Sequence, residues 1–590
     1  MKATLLPLSG PAAMAACILA TIAIPAAAER IAPAQTVLLD GKLITMDARD
    51  SIVQALAIAD GRIVALGTDR EIRRYVGPGT RVIDLQGRTA TPGLIDTHFH
   101  LDGSGALEVS VAYPGARSIA DVVERVRARA RTLAPGEWIL GRGWDEGKLA
   151  EQRYILASDL DRASPDNPVF LSHATGHYAV ANSSALRLAG ISRDTPDPPA
   201  GTIDRDADGN PTGVLKERAT AIVLKLVPPY SPEQQRRGIR EVIREVNAEG
   251  MTALKDPGVP AGKWAIYRDM RAAGELDARI FVLWEANGTV EDARQLIERV
   301  GKITRPYEPG LNDGRLIAGG VKLFLDGSGG ARTAWMYQDW SRNYTERDAG
   351  NTGYPLIEPG TYREIVRMFH DAGMHVGTHA IGDRAIDWVV DTYAGVLRER
   401  PTHGLRHSII HANVPTDRAI DAMATLQKLH DAGYPEAQAG FMWWIGDVYA
   451  GNFGKERDLR LMPFRTYLDK HVLWAGGSDF DVTPLAARDG IWASVARETL
   501  KGTYGAHPFG TAQSIGVRDA LRSYTVWAAR QLFLEDRIGS LEAGKQADVA
   551  VWDRDLYAIP VEQIRDLKCE LTLLAGNIVH RGPAFTSGSP

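Results

Sequence analysis

Two histidines one residue apart, His98 and His100, stand in the segment TPGLIDTHFHLD, which runs from Thr91 to Asp102. Residues i and i+2 of a strand project to the same side, so both imidazoles would face one point at the end of the preceding apolar run. Two imidazoles at one point can bind a metal ion, but packing at the end of a sheet would give the same pattern. The motif alone is too short to separate the two interpretations.

Four further polar residues lie in or at the ends of apolar, strand-like segments later in the chain. The segments are GGVKLFLDGSGG, MHVGTHAIGD, HSIIHANV and HVLWAGGSDFDV, and the residues are Lys322, His379, His411 and Asp479. Singly, a strand lysine usually reaches solvent and a histidine usually belongs to the core. Together with the histidine pair they predict one shared site, because the strands of a barrel present their carboxyl ends on one face.

Imidazole nitrogens and a carboxylate, without thiolate, suit zinc or another divalent first-row metal, and we expect one or two ions per chain. Lys322 needs a chemical change to take part, because an ammonium group cannot bind a cation. Burial beside positive charge favours its neutral amine, which can add carbon dioxide. The resulting lysine carbamate would bridge two ions and reduce the positive charge of the site.

The elements around these residues alternate between helix and strand. In SPEQQRRGIREVIREVNAEGMTALKD, Ser231 is a good N-cap, Pro232 suits the first helical position, Gln234 completes a capping box and Gly250 ends the helix before a strand. A helix, a strand and another helix follow in the same way around His379. This alternation predicts a parallel sheet, and we expect an α/β fold, a (β/α)8 barrel of the TIM type, with an open doubly wound sheet as the alternative.

Both ends of the chain carry β signals instead. Asp-Gly pairs at 40–41 and 60–61 and a Gly-Asn pair at 576–577 stand between apolar stretches and predict hairpins. Each end has too few strands for a stable sheet, so we expect the two ends to form one small composite β-sandwich. The predicted domains are a signal peptide at 1–28, sandwich segments at 29–91 and 535–590, and a barrel at 92–534 with an insertion over its mouth at about 104–225.

The first 28 residues indicate export to the periplasm or the medium. They combine one lysine, a long apolar run and three alanines before Glu29, which predicts a secretory signal cleaved after Ala28; a retained membrane anchor is the alternative. Cleavage would leave Cys569 as the sole cysteine, which argues against disulfides and thiolate chemistry. A net charge of −5 without a basic run argues against nucleic acid, and no later segment is apolar enough to span a membrane.

The combined motifs resemble the amidohydrolase superfamily, and more narrowly its amidohydrolase-3 branch of YtcJ-like proteins and N-substituted formamide deformylases. The resemblance covers nearly all of the mature chain and includes TPGLIDTHFH, GRGWDE, GHYAVANSSALRLAGI, DGNPTGVLKERA, VKLFLDGSGGARTA, HAIGDRAID and GSLEAGKQADVAVWDRD. Two departures concern substrate contacts. Gly329 and Ala331 replace the leucine and serine of the usual DGSLGSRTA, and Ile410 replaces a frequent glutamate before His411.

The resemblance implies a complete metal site and several substrate contacts. The implied metal-site residues are His98, His100, Lys322, His379, His411 and Asp479. Lys322 would be the carboxylated bridge, and Asp479 would be both a ligand and the catalytic proton shuttle. His177 would lie near the substrate as a catalytic and binding residue, with Trp144 and Arg332 as further substrate contacts, although core packing is an alternative for Trp144.

The expected activity is hydrolysis of a non-peptide carbon–nitrogen bond, such as that of an N-substituted formamide or another small amide. A metal-activated hydroxide would attack the carbonyl, and Asp479 would carry the proton to the leaving nitrogen. A lactone, ester or cyclic-amide hydrolase with the same metals is one alternative, and an exported binding or scaffold protein with a degenerate barrel is another. The expected partners are the small-molecule amide and water, and a homodimer stays open.

Export generates the first testable prediction. When the full chain is expressed in a bacterium, N-terminal sequencing of the periplasmic or secreted protein should begin at Glu29, because signal peptidase cleaves after small residues. Ala28→Tyr is the control, since its large side chain should leave the leading segment attached. Recovery from membranes alone, with Lys2 still present, would favour the membrane anchor.

Overall fold

The computed structural model describes residues 32–101, 109–110, 116–304, 314–344 and 346–586. Its central element is one sheet of eight parallel strands, in which each strand pairs with the next along the chain. Barrel strands 1 to 8 are Leu94–Asp96, Met251–Val259, Arg279–Glu285, Leu316–Phe324, His375–Ala380, Ser408–His411, Tyr434–Ala437 and Ala475–Gly476.

The sheet closes almost completely between its first and last strands. The backbone N–H of Thr97 donates to the carbonyl of Gly476 at 3.1 Å, and Phe99 pairs with Phe480 in a parallel bridge. Strands 1 and 8 therefore meet as neighbours. The predicted (β/α)8 barrel is confirmed, and the open doubly wound sheet is wrong.

Helices between the strands cover the barrel. The side chain of Ser231 accepts from the N–H of Gln234 and the Gln234 side chain accepts from the N–H of Ser231, so the predicted capping box is confirmed. Ile239 and Ile243 are buried on one helix face, and Gly250 has a φ of +72°, which favours glycine. The helices in the barrel part are Pro232–Ala248, Ala261–Ala272, Val290–Val300, Pro359–Asp371, Asp383–Glu399, Asp417–His430, Gly440–Trp444, Gly446–Phe453, Lys455–Asp458, Phe464–Asp469, Ala487–Ala496, Val517–Ser523 and Val526–Gln531.

Strands from both chain ends form the predicted composite sandwich, which is confirmed. One sheet contains, in order, Arg62–Gly67, Ala55–Ala59, Thr36–Leu39 and Arg81–Asp84. The other contains Asn577–Arg581, Cys569–Leu574, Val549–Trp552, Thr89–Pro92, Lys42–Ile44 and Ile52–Val53. Leu38 and Leu56 of the first sheet share an apolar core with Val549 and Leu571 of the second, so each end of the chain buries the other.

Two of the three predicted hairpins are confirmed. The turns at 60–61 and 576–577 each join an antiparallel strand pair. The hairpin predicted at Asp40-Gly41 is wrong, because the strands before and after this pair belong to different sheets. The chain changes layer here, and a Cβ atom on Gly41 would lie only 2.5 Å from the Leu85 side chain. The two layers therefore lie close together at this position.

A mixed six-stranded sheet lies between barrel strand 1 and the first barrel helix. Its strands, in sheet order, are Gly201–Arg205, Pro211–Glu217, Tyr178–Ala181, Val169–His173, Ile139–Trp144 and Val109–Ser110. Its helices are Ile119–Ala130, Ala157–Asp161, Ser183–Leu188 and Thr220–Leu224. The predicted capped helix begins after Ser118, whose side chain accepts from the N–H of Asp121. The predicted insertion at 104–225 extends partly outside the described residues.

The predictions that concern export fall mainly on residues 1–28, which lie outside the described residues. Within the described ranges, no helix has both the length and the apolar character needed to cross a membrane. Cys569 is buried with a free thiol.

A buried ion pair joins the barrel to the sandwich. Arg279, the first residue of barrel strand 3, donates to both carboxylate oxygens of Asp548 at 2.7 and 2.9 Å. Asp548 Oδ1 also accepts from the backbone N–H of Ala575 at 2.8 Å. Both charged side chains are almost wholly buried, so each depends on the other for compensation.

Asp548→Ala should lower the free energy of unfolding by about 3–5 kcal/mol, because it removes the carboxylate that compensates the buried Arg279 guanidinium. The matched control is Asp417→Ala, which removes an exposed partner of Arg460 and should cost about 0–1 kcal/mol. Urea denaturation followed by circular dichroism measures both. Equal losses in the two variants would contradict a stabilising role for the buried pair.

Candidate metal centre

The predicted metal-site residues come from five barrel strands and lie at or near their carboxyl ends. His98 and His100 follow strand 1, Lys322 is in strand 4, His379 is in strand 5, His411 ends strand 6 and Asp479 follows strand 8. Parallel strands that close into a barrel bring these ends together.

The Asp479 carboxylate lies at the centre of the cluster. Its Oδ1 atom is 3.1 Å from His100 Nε2 and 3.4 Å from His98 Nε2, and its Oδ2 atom is 4.0 Å from His411 Nδ1. Oδ1 is buried, yet it makes no well-aligned hydrogen bond to any described residue. His98, His411 and Asp479 each offer a ligand atom within 4.8 Å of the others. A divalent ion fits this set, because it would satisfy an oxygen that hydrogen bonds leave unpaired.

Lys322 borders the same cluster. Its Nζ atom lies 3.5 Å from His98 Nε2, and the side chain is buried beside the Phe324 ring. Burial lowers the pKa of Lys322 to about 7, although Asp479 favours the charged form. A neutral amine is therefore accessible near neutral pH.

The His379 ring lies beside the cluster rather than within it. Its centroid is 4.4 Å from that of His411, but its Nε2 atom is 3.0 Å from the Gly327 carbonyl and 3.5 Å from Asp326 Oδ1. Asp326 in turn accepts three backbone N–H groups, which hold this loop in place. The structure thus brings His379 to the site with Nε2 turned toward a backbone carbonyl.

The buried histidines of the centre favour their neutral form. Burial lowers the pKa of His98 and of His379, and neighbouring positive groups such as Lys322 and His411 lower it further. Burial also lowers the pKa of His411 to about 3, despite the nearby Asp479 carboxylate. Neutral imidazole is the form that binds a metal, so the electrostatics agree with the donor set.

Gln438 is a supporting residue that the sequence did not reveal. Its Oε1 atom lies 2.8 Å from His411 Nδ1, so the other ring nitrogen of His411 is left for a ligand. Gln438 follows barrel strand 7, whose sequence YPEA contains a proline and gives a weak strand signal. An eight-stranded barrel requires a strand between His411 and Asp479. A search for that strand would have identified Gln438 as the residue that follows it.

The three predicted substrate contacts lie in different surroundings. The His177 ring centroid is 5.2 Å from that of His379, which places His177 next to the centre on the side of His379. Arg332 lines a cavity of about 580 Å³ together with Glu146, Tyr154, Asn452 and Tyr504. Trp144 is buried in the core of the insertion and donates from Nε1 to the Leu171 carbonyl at 2.8 Å. This placement favours the core-packing alternative for Trp144 over a substrate contact.

Proteins of known family are similar in sequence to nearly the whole of this chain. The family model described as Amidohydrolase family matches residues 81–580. YtcJ from Bacillus subtilis (strain 168), an amidohydrolase by name, is 30% identical over 92% of this chain and 98% of its own. The N-substituted formamide deformylase of Arthrobacter pascens is 29% identical over 91% of this chain and 97% of its own.

Solved structures share the fold. An uncharacterized metal-dependent hydrolase from Pyrococcus horikoshii OT3 is 26% identical with a TM-score of 0.69, covering 89% of this chain and 99% of its own. Atrazine chlorohydrolase TrzN from Arthrobacter aurescens TC1, complexed with zinc, has a TM-score of 0.51 at 16% identity over 94% and 97% of the two chains, which shows the fold alone. Since the family model spans most of the sequence, and the barrel has the expected form, this chain belongs to the Amidohydrolase family.

Proposed function

We propose that this protein is a metal-dependent hydrolase of non-peptide carbon–nitrogen bonds, acting on an N-substituted formamide or another small amide outside the cytoplasm. The observation that carries the proposal is the convergence of His98, His100 and His411 on the buried Asp479 carboxylate. The activity named for the Arthrobacter pascens relative supports the amide class. The signal-like residues 1–28 support export.

The donor set of imidazole and carboxylate suits zinc or a similar divalent ion. Such an ion, when bound, polarises a carbonyl group and lowers the pKa of water from about 15.7 to about 7. His98, His100, His411 and Asp479 would hold it.

Asp479 has the properties of a proton carrier. Burial raises the pKa of its carboxyl, but His100, His411 and Lys322 outweigh burial and leave that pKa below its ordinary value. The ionised carboxylate can accept a proton from the attacking water and deliver it to the leaving nitrogen.

His177 has the properties of a cationic donor at the substrate. Burial lowers the pKa of its imidazole, but the adjacent Glu217 carboxylate outweighs burial and leaves that pKa above its ordinary value. A charged imidazolium near the centre can stabilise the oxyanion that forms when the carbonyl is attacked.

Lys322 is the residue that we propose to be carboxylated. Its neutral Nζ would form a bond to the carbon of carbon dioxide, one C=O bond would open to an oxyanion, and the amine would release one proton to solvent. The product is an anionic carbamate adjacent to His98, where Nζ lies 3.5 Å from Nε2. An anion at this position could bridge a second ion to the first.

The purified protein should contain one or two divalent ions per chain, and His98→Ala should reduce this number below one. Turnover of an N-substituted formamide should fall at least about 100-fold, because the substitution removes an imidazole ligand while keeping the backbone hydrogen bonds of the barrel seam. Elemental analysis and a substrate panel of amides, esters, lactones and cyclic amides measure these effects. The exposed His403→Ala is the control and should leave metal and turnover unchanged.

Two other outcomes would contradict this function. Less than one ion per chain in the unsubstituted protein, with no effect of His98→Ala, would favour a binding or scaffold protein. Metal-dependent turnover of lactones or esters alone would keep the centre and overturn the amide class.

Lys322→Ala should lose activity by at least about 100-fold and retain fewer ions, because the carbamate is missing. Millimolar bicarbonate with a short carboxylic acid such as acetate should restore part of the activity and part of the ion content, since the acid can occupy the space of the carbamate. The exposed Lys470→Ala is the control, without loss or rescue. Full activity in Lys322→Ala would exclude the carbamate bridge and favour a single-ion site.

A further inference from the structure

A buried carboxylate supports the His177 imidazole from the side of the insertion. Nδ1 of His177 lies 3.0 Å from Oε2 and 3.2 Å from Oε1 of Glu217. Both side chains are largely buried, with exposed fractions of 13% and 6%. Glu217 is therefore within hydrogen-bonding distance of the ring nitrogen through both of its oxygens.

Backbone pairing in the inserted sheet creates this contact. Tyr178 pairs with Lys216 across two antiparallel strands, and the N–H of Glu217 donates to the carbonyl of His177 at 2.7 Å. The two residues are therefore cross-strand neighbours, whose side chains lie close together. Their relative position is set by the sheet and does not depend on a flexible loop.

The geometry also specifies which nitrogen of His177 is engaged by Glu217. An ionised carboxylate only accepts hydrogen bonds, so Nδ1 of His177 carries the proton and donates to Glu217. The ring itself lies 5.2 Å, centroid to centroid, from that of His379. Nε2, on the opposite side of the ring from Nδ1, is left for the substrate.

Glu217 is in turn held by the loop that follows barrel strand 4. Thr333 donates from Oγ1 to Glu217 Oε1 at 2.5 Å, and the N–H of Ser328 donates to Thr333 Oγ1 at 2.9 Å. A Cβ atom on Gly327 would lie 2.6 Å from Glu217 Oε1 and 2.2 Å from Thr333 Oγ1. Only glycine leaves room for this approach, and its carbonyl is the one that faces His379 Nε2.

We propose that Glu217 is a positioning residue that holds His177 with Nδ1–H toward its carboxylate and Nε2 toward the metal centre. The role is analogous to that of carboxylates that orient a catalytic imidazole in other enzymes. Its effect on turnover rests on the proposed hydrolase function, whereas its effect on the His177 ring does not. In this role Glu217 acts through His177 rather than directly on the substrate or on a metal ion.

The first test observes the His177 ring directly by NMR. In protein labelled with ¹⁵N-histidine, the His177 resonances are identified by their loss in His177→Gln, and they should show a protonated Nδ1. Glu217→Ala should shift these resonances or broaden them through ring motion, with an unchanged metal content. Asp204→Ala is the matched control, because it removes an ion pair with Lys216 in the same sheet and should leave the resonances unchanged.

The second test measures the turnover of the amide substrate. Glu217→Ala should lower kcat about 10- to 100-fold with a smaller effect on KM. Glu217→Gln keeps an acceptor oxygen and should lose less. If Glu217 acts through His177, the double variant Glu217→Ala/His177→Gln should be no slower than His177→Gln alone.

These outcomes separate the inference from the function on which its activity test rests. If no amide is turned over but the His177 resonances shift in Glu217→Ala, the positioning role stands and the hydrolase proposal fails. Unchanged resonances in Glu217→Ala would overturn the positioning role, as would a double variant whose loss is the product of the single losses. If Glu217→Ala does not fold, Glu217→Leu, which keeps a similar volume without an acceptor oxygen, takes its place in both measurements, and unchanged resonances and kcat in that variant would equally overturn the role.

Discussion

The metal centre depends on the seam where the first and last strands of the barrel meet. The buried Asp96 carboxylate accepts a backbone N–H from His98 and another from Ser478, both at 2.9 Å, so one side chain holds both strand ends. Across the same seam, the N–H of Asp479 donates to the carbonyl of His98 at 2.7 Å. A Cβ atom on Gly477 would lie 2.8 Å from the backbone nitrogen of His98, so glycine is needed for the two strands to approach each other. These contacts fix an imidazole and a carboxylate from distant parts of the chain.

Inside the barrel, two lysines experience opposite surroundings. Lys255 and Glu436 are both fully buried and form an ion pair, which compensates the cost of removing each charge from water. Lys322 is equally buried, but within the described ranges no carboxylate lies within ion-pair distance of its ammonium group. An unpaired buried charge is costly, and the neutral amine avoids that cost. The contrast explains why the neutral amine is favoured at Lys322, whereas Lys255 keeps a compensating carboxylate.

Local sequence patterns predicted the fold well, because caps such as Ser231 and apolar runs between turns act over a few residues. They also located the strand ends that carry site residues. They did not predict Gln438, since Pro435 weakens the signal of the preceding strand. They did not predict the ring orientation of His379, because its turn toward a carbonyl depends on the folded loop. The left-handed backbone of Asp479, with a φ of +57°, likewise follows from tertiary contacts that no short pattern encodes.

The loop after barrel strand 4 packs against both the insertion and a barrel helix. Thr333 joins this loop to the insertion that carries His177. Gly329 lies where the related motif usually has leucine, and a Cβ atom there would be 2.8 Å from the Phe453 ring. The ring thus occupies space that a leucine side chain would need, so the helix Gly446–Phe453 packs directly on the loop. The predicted ligands His98, His100 and Asp479 lie at the barrel seam, whereas Gly329 and Thr333 lie in this loop, so the two parts of the candidate site are built from different segments of the chain.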